Sequence, residues 1–244
     1  MGPGRGAVAV SLLGLLAAAA SVSGVAARPT LRPVVTGLAA VSPSATTLTP
    51  VMGDQETGGY YLGIGVATNG ADISMTSAIA ELFSVSPGLA LMTMRCWIGI
   101  QASASAKNRP MSFSRTTGNT GAQGGLMAFG VRDYGGGSAS NLRVQSQNYS
   151  TTPITGYTPT INSNGGANYL RVLVLGFGQQ HGVTAGTLSF PTFTNWALHS
   201  SFNAGGAIAV YTSSNMGDVP SESFALPQGW SLCAAAFDLL PAVY

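Results

Sequence analysis

Carboxylates are the side chains best suited to acid–base chemistry in this chain, and there are only eight among its 244 residues. Two pairs lie close together in the sequence, Asp54 with Glu56 and Asp218 with Glu222. A glycosidase needs two carboxyl groups that converge across one sugar bond and have separated pKa values. Nothing in the spacing of these pairs requires such convergence. We interpret the four carboxylates as solvated loop charges, and we predict no catalytic residue.

Histidine and cysteine are equally sparse. A zinc site needs three or four ligands at close spacing, whereas His181 and His199 have no clustered partner. Cys96 and Cys233 lie in apolar, strand-like runs that favour buried thiols. The sequence does not decide whether a disulfide joins them. A Gly-x-Ser-x-Gly nucleophile motif is missing, and the glycine runs lack the Lys-Ser/Thr of a phosphate loop. The sequence therefore predicts no metal, no cofactor and no enzymatic activity.

Aromatic rings offer one further kind of chemistry, because a ring presents an apolar face on which a sugar can stack. Packing within strands and hairpins explains the same rings, and the sequence does not show which of them face outward. A host surface glycan is therefore retained as a candidate ligand. The candidate stacking residues are Tyr134, Tyr149, Tyr157 and Trp196.

The composition is unusual for its low charge. Charged residues make up 7% of the chain and hydrophobic residues 45%, whereas an ordinary soluble domain has roughly 25% charged residues. The polar surface must then consist of Ser, Thr, Asn, Gln and Gly, which cost little to desolvate and suit close packing against neighbours. No basic stripe exists that could neutralise a run of phosphates, so we expect no nucleic-acid partner.

The N-terminal segment is apolar from Ala7 to Ala27. It fits a signal peptide, or a retained arm, extended or helical, that packs against neighbouring subunits. A membrane anchor is disfavoured because the span is barely long enough and is diluted with Gly and Ser. Residues 1–28 are thus an arm or signal-like segment, and residues 29–50 are a Pro-rich extended linker. The residues assigned to an assembly arm are Leu12, Leu13, Leu15, Leu16, Arg28 and Arg32.

From Tyr60 onward, short β-rich runs alternate with Gly, Asn, Ser and Pro clusters, which predicts an all-β fold, a sandwich of the jelly-roll type. Only Ser77–Phe83 and Asn195–Ser200 suggest short helical turns. The predicted strands are Tyr60–Ala67, Leu89–Gln101, Arg109–Arg115, Gly125–Asp133, Asn141–Gln147, Tyr169–Gly176, Gly206–Thr212 and Trp230–Leu239.

A weak internal duplication divides this β-rich part into two pseudo-repeated halves, residues 51–160 and 161–244. Tyr60–Val66 matches Tyr169–Leu175 as the strand that opens each half. Each half closes on an Ala-Phe strand that contains Phe129 or Phe237. The separation of the opening Tyr from the closing Phe is similar in both halves, as a repeat architecture requires.

The closing run Ala236-Phe237-Asp238-Leu239-Leu240-Pro241, and the order of segments before it, resemble the two-lobed β-sandwich surface proteins of tailed double-stranded DNA phages. The resemblance extends from about Met52 to Pro241. The first half departs from that pattern because it lacks the turn Trp, whereas the second half has Trp196 and a Gly229-Trp230 pair.

This resemblance implies a virion structural protein, a head-decoration or tail-surface subunit located on the virion surface. Its expected partners are other virion proteins and copies of itself. We expect neither nucleic acid nor a membrane as a partner. An alternative is a secreted or displayed carbohydrate-binding module, for which residues 1–27 would be removed. A second alternative is a tail-associated polysaccharide-degrading enzyme, which would require a functional carboxylate pair.

Overall fold

The structure is a computed structural model, and the residues that it describes form fifteen β-strands and no helix. Those residues are 27–40, 47–48, 60–75, 80–88, 92–100, 113–115, 124–136, 139–160, 168–180, 182–204, 206–214 and 222–242. All strand pairs are antiparallel. The prediction of an all-β fold of the sandwich type is confirmed.

Two five-stranded sheets form the body of the molecule. Sheet 1 has the order β1-β8-β3-β6-β5, and sheet 2 has the order β12-β13-β11-β15-β9. The strands of sheet 1 are β1 (Thr30–Ala40), β3 (Tyr60–Thr68), β5 (Ala80–Gly88), β6 (Met92–Ile100) and β8 (Gly124–Arg132). The strands of sheet 2 are β9 (Ser140–Gln147), β11 (Leu170–Gln179), β12 (Ala197–Ala204), β13 (Gly206–Ser213) and β15 (Trp230–Leu239).

Two smaller sheets accompany these. One is three-stranded, with the order β2-β7-β4, and the other pairs β10 with β14. Ile73 on β4 is buried and lies over Gly65 of sheet 1, and Phe224 and Leu226 of β14 pack on the outer face of sheet 2. The five short strands are β2 (Thr47–Leu48), β4 (Ile73–Met75), β7 (Phe113–Arg115), β10 (Ile154–Tyr157) and β14 (Phe224–Leu226).

The core lies between sheets 1 and 2, yet the central strands are buried on both faces. Leu62, Ile64 and Val66 alternate along β3 toward the shared core, as a strand of period two requires. On β11 hydrophobic and polar residues do not alternate, because both faces of the strand are buried. Val172 and Val174 face the shared core, and Leu173 and its alternating neighbours enter a second, outer cluster. Covering both faces explains why β11 and β15 read as continuous apolar runs.

The outer cluster on sheet 2 is covered by the chain between β11 and β12. Phe193 and Trp196 of this segment are buried with Leu226 and Trp230. The Tyr211 hydroxyl donates a hydrogen bond of 2.6 Å to the carbonyl oxygen of Pro191, and the indole Nε1 of Trp230 donates one of 2.8 Å to that of Gly186. These bonds fix a long irregular segment against the sheet, which explains how it stays ordered without regular hydrogen bonding of its own.

The two sheets share one strand topology. Sheet 1 takes its strands from residues 30–132 and sheet 2 from residues 140–239, and we call these two ranges the structural halves, which differ from the ranges 51–160 and 161–244 of the sequence match. In both, the first strand of the half pairs with the last, the last with the second, the second with the fourth, and the fourth with the third. The first strands are β1 and β9, and the last are β8 and β15. That the two halves descend from one duplicated unit stays a prediction.

The register of the sequence match between the halves is wrong by one residue. Phe129 lies opposite Leu62, and Phe237 lies opposite Val172. Leu62 is therefore equivalent to Val172, and Tyr60 to Leu170, not to Tyr169. A shift of one residue along a strand exchanges its two faces, and apolar residues on both faces of β11 concealed this shift in the sequence.

Both predicted helical turns are wrong in their described residues. Residues 80–83 belong to β5, where Phe83 pairs with Cys96 of β6. Residues 197–200 belong to β12, which pairs with β13. Short apolar runs do not distinguish the two structures by period, and here sheet neighbours supply hydrogen bonds that a single helical turn would lack. Residues 77–79 lie outside the described part.

The Pro-rich segment contributes a strand of sheet 1. Residues 30–40 form β1, which pairs with β8, so this part of the predicted linker is extended but belongs to the sheet. Pro33 lies on this edge strand, and the pairing register shifts between Pro33 and Val35. An edge strand tolerates proline because one side of its backbone needs no partner in the sheet.

Close approach of the sheets depends on glycine. A methyl group added at Gly178 would lie 2.9 Å from Cβ of Met92, and one added at Gly176 would lie 2.9 Å from Cγ2 of Val66. Met92 Cβ is held by the backbone and cannot move aside. At Gly206 the nearest atom would be 3.5 Å away, an ordinary contact.

We expect Gly178→Ala to destabilise the fold by about 1–3 kcal/mol, because the added methyl forces the sheets apart. Gly206→Ala is the matched control, and we expect it to be neutral or stabilising by about 0.4–1 kcal/mol through the unfolded chain. Urea unfolding of both variants measures this. Equal stability of the two would contradict the close approach.

Candidate functional site

No group of three or more His, Cys, Asp and Glu side chains that could hold a metal ion occurs in the described part of the chain. Of the predicted loop carboxylates, Glu222 accepts a 2.8 Å hydrogen bond from the backbone N–H of Thr194. It therefore anchors the segment before β12. Asp54, Glu56, Asp218 and His181 lie outside the described residues, as does the side chain of His199.

One ion cluster lies on sheet 1. The guanidinium of Arg95 contacts Asp72 at 2.5 Å and Glu81 at 2.6 Å. Partial burial lowers the pKa of Arg95, but its hydrogen bonds to both carboxylates outweigh this effect and the net pKa is raised. Both carboxyl groups are thus engaged in holding the turn after β3 and the start of β5 against β6, which is a structural role.

A second ion pair is buried in sheet 2. Arg171 Nε donates to Asp238 Oδ1 at 3.1 Å, and the side chains are 3% and 2% exposed. The second carboxylate oxygen accepts a 2.7 Å bond from the side-chain amide of Asn141. The pair joins neighbouring strands β11 and β15, and Asn141 extends it to β9. Removing one partner would leave the other charge buried without compensation.

We expect Asp238→Asn to destabilise the protein by about 3–5 kcal/mol, because Arg171 remains charged and buried. Asp72→Asn is the control, since the Asp72 side chain is 42% exposed, and an exposed pair contributes about 0–1 kcal/mol. The check is denaturant unfolding of both variants. A smaller loss for Asp238→Asn than for Asp72→Asn would contradict this structural role.

The two cysteines are free thiols buried in the shared core. Burial raises the pKa of Cys233 to about 12 and that of Cys96 well above its ordinary value. A thiol reacts as its thiolate. Both groups are therefore unreactive packing residues in the folded protein, and the open question of a disulfide is resolved against one.

At pH 8, neither thiol of the native protein should react with a soluble aromatic disulfide reagent. The raised pKa values keep both sulfur atoms protonated, and burial blocks access to them. After denaturation two thiols per chain should react. Absorbance of the released thiolate gives the count. Rapid labelling of the folded protein, or fewer than two thiols after denaturation without reductant, would contradict the buried free state.

The four candidate stacking residues do not form one platform. Tyr134 and Trp196 are 5% and 6% exposed, so their ring faces are covered by protein. For these two residues the stacking role is wrong, because Tyr134 packs edge-on against Tyr60 and Trp196 belongs to the outer cluster of sheet 2. Tyr157 is partly buried, and its hydroxyl donates to Gln145 Oε1 at 3.0 Å.

Tyr149 follows the end of β9 and is partly exposed. Tyr134 follows the end of β8, at the end of the sandwich where β3 and β11 begin, which we call the base. Tyr149 lies at the opposite end, which we call the tip. Stacking on Tyr149 and Tyr157 stays a prediction.

A shallow pocket of about 430 Å³ lies at the base of sheet 2. Trp196 lines it, and its buried indole nitrogen has no hydrogen-bond partner among the described residues. None of the described residues that line this pocket is charged. Its lining residues are Leu170, Asn195, Trp196, Ala197, Thr212, Ser213 and Ser214.

The predicted assembly arm is described only at its C-terminal end. Leu12, Leu13, Leu15 and Leu16 lie outside the described residues. Arg28 is partly buried just before β1, and its Nε has no hydrogen-bond partner in the described part. Arg32 lies in β1 opposite Gly130 of β8, and its side chain is not described. A role in assembly for these residues stays a prediction.

Three large apolar side chains are exposed in the described part of the chain, and they lie on the two edge strands of sheet 2. Leu142 and Val144 of β9 are 37% and 44% exposed, and Leu198 of β12 is 47% exposed. An edge strand also has backbone N–H and C=O groups free for a further strand. Sequence analysis missed these residues, because apolar residues alternating along a strand ordinarily indicate burial.

Comparison with known proteins gave no relative: no family model, no curated protein and no solved structure matches the chain. The described residues contain no helix of the length and hydrophobicity needed to span a membrane. The edge strands of sheet 2 are therefore the candidate functional surface on geometric grounds alone.

Proposed function

We propose that this protein is a non-enzymatic structural subunit of a tailed-phage particle, a head-decoration or tail-surface protein that binds its neighbours. The observation that carries the proposal is the exposure of Leu142, Val144 and Leu198 on both edges of sheet 2. Buried thiols, engaged carboxylates and the low charge of the chain agree with a role in packing rather than turnover. The assignment to a phage particle rests on the resemblance of the sequence to the two-lobed β-sandwich surface proteins of tailed phages.

Edge strands are natural contact surfaces, because an added strand satisfies their free backbone groups while its side chains pack on the exposed apolar ones. The two edges of sheet 2 belong to different strands, so contact between β9 of one subunit and β12 of the next would be heterologous. Such contacts build rings or filaments rather than isolated pairs. With 7% charged residues, the surface offers little charge repulsion against repeated copies.

The N-terminal arm completes the proposal. β1 begins at Thr30, at the base, so an assembly arm formed by the preceding residues would join the sheet at that end. Leu12, Leu13, Leu15 and Leu16 would supply the apolar contacts of that arm. The secreted carbohydrate-binding alternative has less support, since two of its four rings are covered.

Mass spectrometry of purified phage particles tests the function directly. We expect the protein in the particles, at many copies and with its N-terminal residues retained. Its absence from particles, together with a mature protein that begins near Arg28 in the culture medium, would overturn the proposal in favour of secretion. A glycan-array screen of that mature form would then examine the sugar-binding alternative.

Replacing Leu142 and Val144 with Thr should reduce self-association of the purified protein by about tenfold or more, since about 1.4 kcal/mol corresponds to tenfold and the two side chains lose apolar contact. Ser146→Thr on the same strand is the control and should leave association unchanged. Sedimentation velocity across a concentration series measures both. An unchanged association of the double variant would remove β9 from the contact.

A further inference from the structure

The packing of sheet 1 on sheet 2 is reciprocal. β1 contacts β12 at one side of the sandwich, and β9 contacts β5 at the other. β8 contacts both β12 and β13, and in the same way β15 contacts both β5 and β6. Each contact therefore has a counterpart in which the strands of the two halves exchange places. This is the arrangement of an isologous dimer, but within one chain.

The centre of the interface locates the symmetry axis. Val66 and Gly176 are equivalent by their register, and a Cβ at Gly176 would lie 2.9 Å from Val66 Cγ2. Thr68 and Gly178 are the next equivalent pair, and they meet in the same way. Two successive pairs of equivalent residues that meet in this way indicate an axis roughly parallel to β3 and β11. At the base, Tyr134 pairs with Pro241, each just beyond the closing strand of its half.

The two inner faces are complementary and not identical. Toward the tip, the first half presents Val66, Thr68 and Met92, whereas the equivalent positions of the second half are all glycine. Two first halves would therefore clash there, and two second halves would leave a void. Each face fits the opposite half. The three glycines are Gly176, Gly178 and Gly206.

The connection between the halves is short and carries a run of small residues. Seven residues join Arg132, the last of β8, to Ser140, the first of β9, and four of them are Gly135-Gly136-Gly137-Ser138. β8 and β9 lie in opposite sheets and are three strand positions apart. With strands about 4.8 Å apart and sheets about 10 Å apart, the connection spans about 17 Å.

We propose that the first half of one copy can accept the second half of a second copy in place of its own, so that the inner faces are an interaction surface for another copy of this chain. The partner is specified by shape, because bulky residues of one half fill the glycine positions of the other. Exchange conserves every contact between the sheets, so it depends on the connection and not on a new interface.

Deleting residues 135–138 tests this in the full chain. Three residues then remain between Arg132 and Ser140. The four steps between these ends span at most about 14 Å, at about 3.3–3.6 Å per step, which is less than the distance the connection must bridge. We expect a dimer with twice the 24.7 kDa mass of the chain and a circular dichroism spectrum like that of the parent. The matched control carries a second Gly-Gly-Gly-Ser in the same place and should have the association state of the parent.

A folded variant with the association state of the control would overturn the proposal. If the deletion variant aggregates, a protease site inserted between Gly137 and Ser138 decides the matter. After cleavage of the folded chain, denaturation and dilution, the two fragments should reassociate one to one and restore the tryptophan fluorescence. Fragments that remain separate would overturn the proposal, and neither outcome bears on presence in a phage particle.

Discussion

Close packing of two β-sheets around one apolar core is the constraint on which the rest of this molecule depends. The shared core takes side chains from strands of both sheets, and it leaves no space for a side chain at Gly176 and Gly178. Both thiols of the chain pack in this core, which explains their burial and their raised pKa values.

Two groups of charged residues in the described part hold strands together. Arg171 and Asp238 connect β11 to β15 in the interior, and Arg95 connects β6 to the segments before and within β5. The buried pair is expensive to desolvate, and we interpret it as a contact that favours one register between the central strands β11 and β15. The exposed residues of the described part are mostly uncharged and polar, with a few charged and large apolar side chains among them.

These features connect the fold with the proposed assembly role. A sandwich closed on both outer faces leaves its edges as the remaining places for further strands, and sheet 2 has exposed apolar side chains on both of its edges. The reciprocal packing of the halves adds a second route to association, through exchange rather than through addition. Both routes use backbone and shape complementarity, and neither needs a reactive group.

The all-β class and eight of the fifteen described strands could be inferred from the sequence, because β-rich runs separated by turn residues reveal strands locally. At the turn after β3, Asn69 and Gly70 have φ angles of 55° and 75°, the conformation that an Asn-Gly pair favours. Residue types and spacings also show that known catalytic and phosphate-binding sequence motifs are missing, and the absence of enzymatic activity stays a prediction.

Tertiary structure alone decided the faces and the edges. Whether a ring such as Trp196 is covered, or an apolar residue such as Val144 is exposed, depends on strands distant in sequence. The same holds for the register of the halves, because strands buried on both faces carry no alternation to mark it. Residues 80–83 and 197–200 became strands for the related reason that their hydrogen-bond partners lie on neighbouring strands, which local sequence does not encode.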